Sequence, residues 1–95
     1  MVGLMAGKDK YAGINPLQRL HEGEPYFFIR AQDKLSVLAV IEYSHLLRHE
    51  SVNASLRGDH DLSDSLSKQA DEVLEFARMF KDWQENNSDL VKYPD

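Results

Sequence analysis

The chain has 95 residues, a net charge of −5 and no cysteine, with 42% apolar and 28% charged residues. This length supports one domain, and the composition is that of a globular protein and not of a disordered chain. The acidic balance argues against non-specific binding to a nucleic-acid backbone, and the lack of cysteine excludes disulfides and thiolate metal sites.

The N-terminal part of the chain is predicted to be a tail followed by a short helix. Residues 1–14 contain three glycines and no hydrophobic periodicity, which is typical of a mobile tail. Asn15 can cap the short helix, Pro16 suits its first position and Gly23 can end it. One or two helical turns are not stable alone, so we place this helix within a single helical domain over 15–86.

The segment Tyr26–Ile29 is rich in residues that favour extended structure, and it follows Pro25, which disfavours a helical conformation at Glu24. Four residues can form a short strand, the start of a helix, or an extended arm on a helical core. A strand would have to pair with another copy of the chain, because no second strand is visible in this sequence. We expect an extended arm.

The first long helix is predicted to start at Ser36 as its N-cap. Residues 35–41 are apolar almost all round, which indicates a helix that is contacted on more than one side, and the helix continues through Leu47. Its end is predicted at Glu50, or as late as Leu56 before Gly58.

The second long helix is predicted from about Asp64 to Glu85, after a turn over 58–61, with Asp61 or Ser63 as its cap. Five of its apolar residues follow the 4-3-4-3 spacing of an antiparallel hairpin or a coiled coil: Leu66, Ala70, Val73, Ala77 and Phe80. Three more widen the apolar surface and predict a homo-oligomer: Leu74, Phe76 and Trp83.

Residues 87–95 are expected to fray, although three apolar side chains there can dock on the domain: Leu90, Val91 and Tyr93. The predicted fold class is therefore mainly α. It is a small helical domain built on an antiparallel helical hairpin, with a short N-terminal helix and an extended arm.

The metal and catalytic motifs in this sequence are incomplete. Glu42 and His45 form one Glu-x-x-His motif where di-metal bundles use two, and His45 and His49 share a helix face at a polar stretch. Glu72 and Glu75 form one half of the acidic pair that helical nucleotide pyrophosphohydrolases use for magnesium. The sequence has no Gly-x-Ser-x-Gly elbow and no glycine-rich phosphate loop. We predict no metal site, no cofactor and no catalytic residue.

The strongest candidate site is the segment from Glu24 to Lys34, where an aromatic run meets polar residues. In an extended segment every second side chain shares a face, so one face is apolar and buried while the other offers aromatic and then polar groups. Arginine matches phosphate or carboxylate, and a glutamine amide can contact a base edge. The predicted ligand-binding residues are Tyr26, Phe28, Arg30, Gln32, Asp33 and Lys34.

A structural interpretation of the same segment competes with that site. In it, Phe27 and Ile29 belong to the core, Arg30 pairs with Glu24 or Asp33, and Asp33 caps a turn.

The motif Glu-Pro-x-Phe-x-x-Arg-Ala-x-Asp at Glu24–Asp33 and the ending Arg-Met-Phe-Lys-Asp-Trp-Gln at Arg78–Gln84 resemble small uncharacterised proteins found in phages and prophages. The resemblance covers residues 15–84 and implies origin and size more than activity. A phage origin favours counter-defence proteins, which act by stoichiometric binding.

Three functions remain open at this point. The first is a non-enzymatic, oligomeric binder of a small anionic or nucleotide-like ligand, and the second is an interaction or inhibitor module that docks on a host or phage protein. The third, and the least supported, is a small metal-dependent hydrolase. No apolar run reaches the roughly 20 residues of a membrane span, and Met1–Ala6 is too short for a signal peptide. We therefore expect no membrane contact and a cytoplasmic location, in the host cytoplasm if the protein is phage-encoded.

Overall fold

The computed structural model describes residues 19–93. Two compact units make up the chain, Met1–Arg30 and Ala31–Asp95. The predicted tail at 1–14 and the predicted helix start at Asn15 lie outside the described residues.

Residues 19–30, the described part of the first unit, contain one turn and an irregular arm. The backbone N–H of Glu24 donates to the carbonyl of His21 at 3.0 Å, and the Glu24 carboxylate accepts from the His21 N–H at 2.9 Å. Gly23 has a φ of 76°, a conformation that glycine adopts without strain. Residues 24–30 form neither helix nor strand, so Tyr26–Ile29 belong to an arm and not to a strand or a helix start.

The second unit is an antiparallel helical hairpin, as the sequence predicts. Helix α1 spans Ser36–Leu56, helix α2 spans His60–Asn86, and a 3-10 helix follows at Ser88–Leu90. Of the two ends predicted for α1, the later one is confirmed. Within residues 19–93, neither long helix is apolar enough over a sufficient length to cross a bilayer.

Helix α1 ends in a Schellman motif. The N–H of Asp59 donates to the carbonyl of Ala54 at 2.9 Å, and the N–H of Gly58 donates to the carbonyl of Ser55 at 3.0 Å. Gly58 has a φ of 84°, which the motif requires at this position. These bonds satisfy carbonyl groups that the last turn of a helix otherwise leaves without a partner.

Helix α2 begins earlier than the sequence predicts. Asp59 is its N-cap, and the Asp59 carboxylate accepts from the N–H of Leu62 at 3.2 Å. The predictions of a cap at Asp61 or Ser63 and of a four-residue turn are therefore wrong. The reason is that Asp59 stands directly after the left-handed Gly58, so one residue completes α1 and starts α2.

The start of α1 also differs from the prediction. Ser36 is the first helical residue and not the cap, and Leu35 precedes the helix without a side-chain capping bond. The Asp33 carboxylate instead accepts from the Leu35 N–H at 2.8 Å. Asp33 lies two residues before that N–H, a spacing at which an aspartate closes a local turn.

The buried side of α1, called here the inner seam, is made mainly of small residues at a spacing of 4-4-3-4-3. Its members are Ser36, Val40, Ser44, Leu47, Ser51 and Ala54. On α2 the predicted seam residues Ala70, Ala77 and Phe80 are buried, while Leu66 and Val73 are half-buried. Small side chains on facing helices let the two backbones approach closely.

Serine hydroxyl groups in the inner seam are hydrogen-bonded. Ser44 donates to the carbonyl of Ile41 in its own helix at 2.7 Å, and Ser51 donates to the carbonyl of Ser63 on α2 at 2.7 Å. Among the residues that the structure describes, no buried side-chain nitrogen or oxygen lacks a partner. The burial of these polar groups therefore costs little.

The position of Phe76 corrects a sequence-based expectation. The sequence predicts that Phe76 widens the apolar surface of α2 outside the hairpin. In the structure its side chain is buried, with 4% of its surface exposed. It lies one helical turn before Phe80, so the buried stripe of α2 is wider than a single line of seam residues. The homo-oligomer that the sequence predicts therefore gains no support from Phe76.

Helix α1 also carries large apolar side chains that are exposed. Leu38 is 66% exposed, Leu56 is 81% exposed, and Leu46 and Val52 are each 54% exposed. Apolar residues therefore occupy its buried and its exposed sides alike, and contact on more than one side of α1 stays a prediction.

Candidate ligand-binding site

The loop before α1 is held by the C-terminal end of the unit. The N–H of Lys34 donates to the carbonyl of Lys92 at 2.7 Å, and the N–H of Lys92 donates to the carbonyl of Gln32 at 2.9 Å. These two bonds form a parallel bridge between Asp33 and Lys92. The backbone of Lys92 is thus bonded to the loop, while fraying of residues 87–95 and docking of the three apolar side chains there stay predictions.

Gln84 fixes the same loop from α2. Its side-chain nitrogen Nε2 lies 2.9 Å from the carbonyl oxygen of Ala31, 3.0 Å from that of Asp33 and 3.2 Å from Oγ of Ser36. An amide group has two N–H bonds, so three acceptors share them. Gln84 is four residues beyond Phe80 and continues the predicted seam spacing, which is the signal that could have identified it.

Asp33 has the turn-forming role that the structural interpretation allowed. Its carboxylate bonds to the Leu35 N–H, and its carbonyl accepts from the N–H of Ser36 at 2.9 Å. A contact between Asp33 and a ligand stays a prediction. Gln32 is half-buried, and its backbone carbonyl holds Lys92.

Lys34 and Lys81 line a shallow depression at the open end of the hairpin, opposite the turn. The depression has a volume of about 470 Å³, and its lining consists of Lys34, Lys81, Gln84, Glu85, Ser88 and Val91. The Lys34 ammonium also stands 4.9 Å from the centre of the Tyr93 ring, a cation–π distance. Two cationic groups and one carboxylate therefore border one open surface.

The other three predicted site residues lie in the first unit. The rings of Tyr26 and Phe28 meet edge to face, with their centres 5.2 Å apart and their planes at 66°. This contact between residues i and i+2 agrees with the alternation that the sequence predicts. The opposite face is not uniformly buried as predicted, because Phe27 is 85% exposed while Ile29 is half-buried.

Arg30 is exposed and is not paired with Glu24 as the structural interpretation proposed. The Glu24 carboxylate accepts from the His21 N–H, and no carboxylate of residues 19–30 forms an ion pair with Arg30. The six predicted site residues are thus divided equally between the units, with Tyr26, Phe28 and Arg30 in the first and the other three in the second.

No metal centre is formed by the described residues. In the part of the chain from 19 to 93, no group of three or more histidine, aspartate or glutamate side chains is placed to hold a metal ion. Glu75 pairs with Arg78 at 3.4 Å, and His45 and His49 lie exposed on α1. The half-motifs in the sequence are therefore not completed by any of these residues.

Comparison of the chain with protein-family models, with curated proteins and with solved structures found no match.

Proposed function

We propose that this chain is a non-enzymatic binding protein for a small anionic ligand of the nucleotide type, held at the depression beside Lys34 and Lys81. The observation that carries the proposal is the presence of two lysine side chains on one concave surface of an acidic protein. Lysine ammonium groups are common partners of phosphate, and two of them outnumber the single carboxylate, Glu85, in the lining of the depression.

The hydrogen bonds of the loop support this proposal. The backbone of Lys34 is bonded to Lys92, and the side chain of Gln84 is bonded to the carbonyls of Ala31 and Asp33. A backbone that is already held loses less conformational entropy when a ligand arrives. Only the exposed side chain of Lys34 then remains to be ordered.

The chemistry of the remaining predicted residues is consistent with a phosphate-bearing ring. Tyr26 and Phe28 offer aromatic surfaces to a planar base, and the exposed guanidinium of Arg30 matches phosphate. A contact of these three residues with a ligand stays a prediction for the first unit by itself, separate from the depression of the second unit.

The resemblance to phage proteins favours binding without turnover, as the stoichiometric sequestration of a signal in counter-defence.

A thermal-shift screen against mononucleotides and cyclic dinucleotides, with and without divalent cations, tests the proposal. A ligand present at 100 times its Kd stabilises the folded protein by about 2.7 kcal/mol. We expect Lys34→Gln and Lys81→Gln each to weaken binding about tenfold, which is roughly 1.4 kcal/mol. Lys68→Gln, an exposed lysine elsewhere on α2, is the matched control.

The fate of the ligand separates binding from catalysis. After incubation and denaturation of the protein, we expect the bound nucleotide to be recovered intact by chromatography. Metal-dependent conversion of the nucleotide would contradict the proposal and restore the hydrolase hypothesis.

A second candidate function is docking on a host or phage protein, and the exposure of Phe27 favours it. A phenylalanine that is 85% exposed has a large apolar surface that contact with another protein would remove from water. If no small anion stabilises the chain, co-purification of one defined protein with the wild type but not with Phe27→Ser supports this second function.

A further inference from the structure

The exposed side of α1, together with Leu35 directly before the helix, carries its own regular pattern, separate from the inner seam. Seven residues follow one another at a spacing of 3-4-3-4-3-4, and every one of them is exposed. We call this line the outer seam: Leu35, Leu38, Glu42, His45, His49, Val52 and Leu56. A spacing that averages 3.5 residues is the spacing with which one helix packs along another.

The outer seam has nearly the same order of residue types in both directions along the chain. Leucine stands at each end, then an apolar residue (Leu38 or Val52), then a charged or ionisable residue (Glu42 or His49), with His45 in the middle. A sequence of this kind is complementary to itself when two copies run antiparallel. A two-fold axis near His45 brings each half of one helix against the other half of the second.

We infer that the outer seam binds a second copy of this chain, with the two α1 helices antiparallel. In this arrangement Leu35 lies opposite Leu56 of the second copy, and Leu38 lies opposite Val52. Glu42 lies opposite His49, which pairs a carboxylate with an imidazole that can donate a hydrogen bond or carry a positive charge.

The charges on the outer seam select the antiparallel orientation. In a parallel pair Glu42 would lie opposite Glu42 and His49 opposite His49, so like groups would meet at both positions. The antiparallel pair replaces both contacts with complementary ones. The inner seam is occupied by α2, so it is not available to a second copy.

The length of α1 predicts a weak dimer. Twenty-one residues span about 30 Å, and a single pair of helices of that length forms an interface near the lower limit of about 1,000 Å² for specific association. We therefore expect a dimer that dissociates on dilution through the micromolar range. This inference does not depend on the proposed ligand.

Sedimentation velocity over a concentration series tests the dimer with the full chain. The buffer contains EDTA, so that His45 and His49 do not join copies through a contaminating metal. His49→Glu should weaken association about tenfold or more, because it places two carboxylates opposite each other. Glu42→Lys should weaken association as well, because it removes the carboxylate that accepts a hydrogen bond from the His49 imidazole. The double variant Glu42→Lys with His49→Glu should restore it, and Asp64→Lys on α2 is the control.

Cysteine cross-linking tests the orientation, since the natural chain has no cysteine. Leu35→Cys and Leu56→Cys are mixed and oxidised. Antiparallel pairing yields mainly the mixed disulfide between the two variants, whereas parallel pairing yields disulfides within each variant. A chain that stays monomeric at high micromolar concentration, a failed charge-swap rescue in folded variants, or dominant same-variant cross-links would each overturn the inference.

Discussion

The two sides of helix α1 contrast in a way that hydrophobicity alone does not predict. The inner seam is buried and contains Ser36, Ser44 and Ser51, while the exposed side contains Leu38 and Leu56. Small residues therefore predominate on the buried side of this helix even where they are polar. Small residues let α2 approach, and the hydroxyl groups find partners within that close contact.

The polar contacts across the hairpin also fix its register. Ser51 bonds to Ser63 near the turn, and Arg48 bonds to Ser67 at 2.7 Å and pairs with Asp71. At the open end of the hairpin, the side-chain amide of Gln84 donates to the hydroxyl oxygen of Ser36 at 3.2 Å. These directional bonds occur at successive levels of the hairpin and are compatible with only one alignment of the two helices. The apolar residues of the inner seam do not specify that alignment alone.

The largest expected effect is the loss of stability when the buried ring of Phe80 is removed. Phe80 is 3% exposed, so Phe80→Ala should reduce the free energy of unfolding by about 3–5 kcal/mol through lost burial and a residual cavity. Leu38→Ala also shortens an apolar side chain to a methyl group, but Leu38 is 66% exposed, so the free energy of unfolding should change by roughly 0.5 kcal/mol or less. Urea unfolding at low protein concentration measures both, and equal effects would show that the faces are assigned wrongly.

A smaller effect tests whether the helices approach closely. Ala54 has no exposed surface, so Ala54→Leu should cost about 1–3 kcal/mol, because a larger side chain forces the backbones apart. The matched change at the exposed side is Leu56→Ala, which should be nearly neutral in the monomer. Thermal unfolding measures both variants, and a neutral or stabilising Ala54→Leu would contradict close packing at the inner seam.

The smallest of these effects concerns Gln84. Gln84→Met keeps the length of the side chain but leaves the carbonyls of Ala31 and Asp33 without their amide donor, for a loss of about 1–2 kcal/mol. Gln69→Met is the control, because the Gln69 amide contacts only an exposed serine hydroxyl at 3.4 Å. Hydrogen exchange at the Lys34 amide should accelerate in the first variant and not in the second.

The hairpin and the end of α1 could be predicted because local patterns determine them. The periodic apolar residues of α2 and the glycine at position 58 each constrain a few neighbouring residues. The cap at Asp59 was missed because Asp61 and Ser63 are equally good capping residues by type. Only the left-handed glycine before Asp59 distinguishes it.

The candidate site was less predictable because its contacts join distant parts of the sequence. The alternation that brings Tyr26 and Phe28 together follows from neighbouring residues. The positions of Lys81, Lys92 and Tyr93 beside Lys34 depend on how the helices align, which a single sequence does not show.

Asp59 has a consequence for the order in which the hairpin assembles. Its N–H completes α1 and its carboxylate starts α2, so the turn forms from residues that are already close along the chain and loses little loop-closure entropy. The contact of Lys92 with Gln32 and Lys34 closes a much longer loop, which costs more loop-closure entropy. We expect folding to nucleate at the turn, proceed along the two helices and reach the Lys92 contact last.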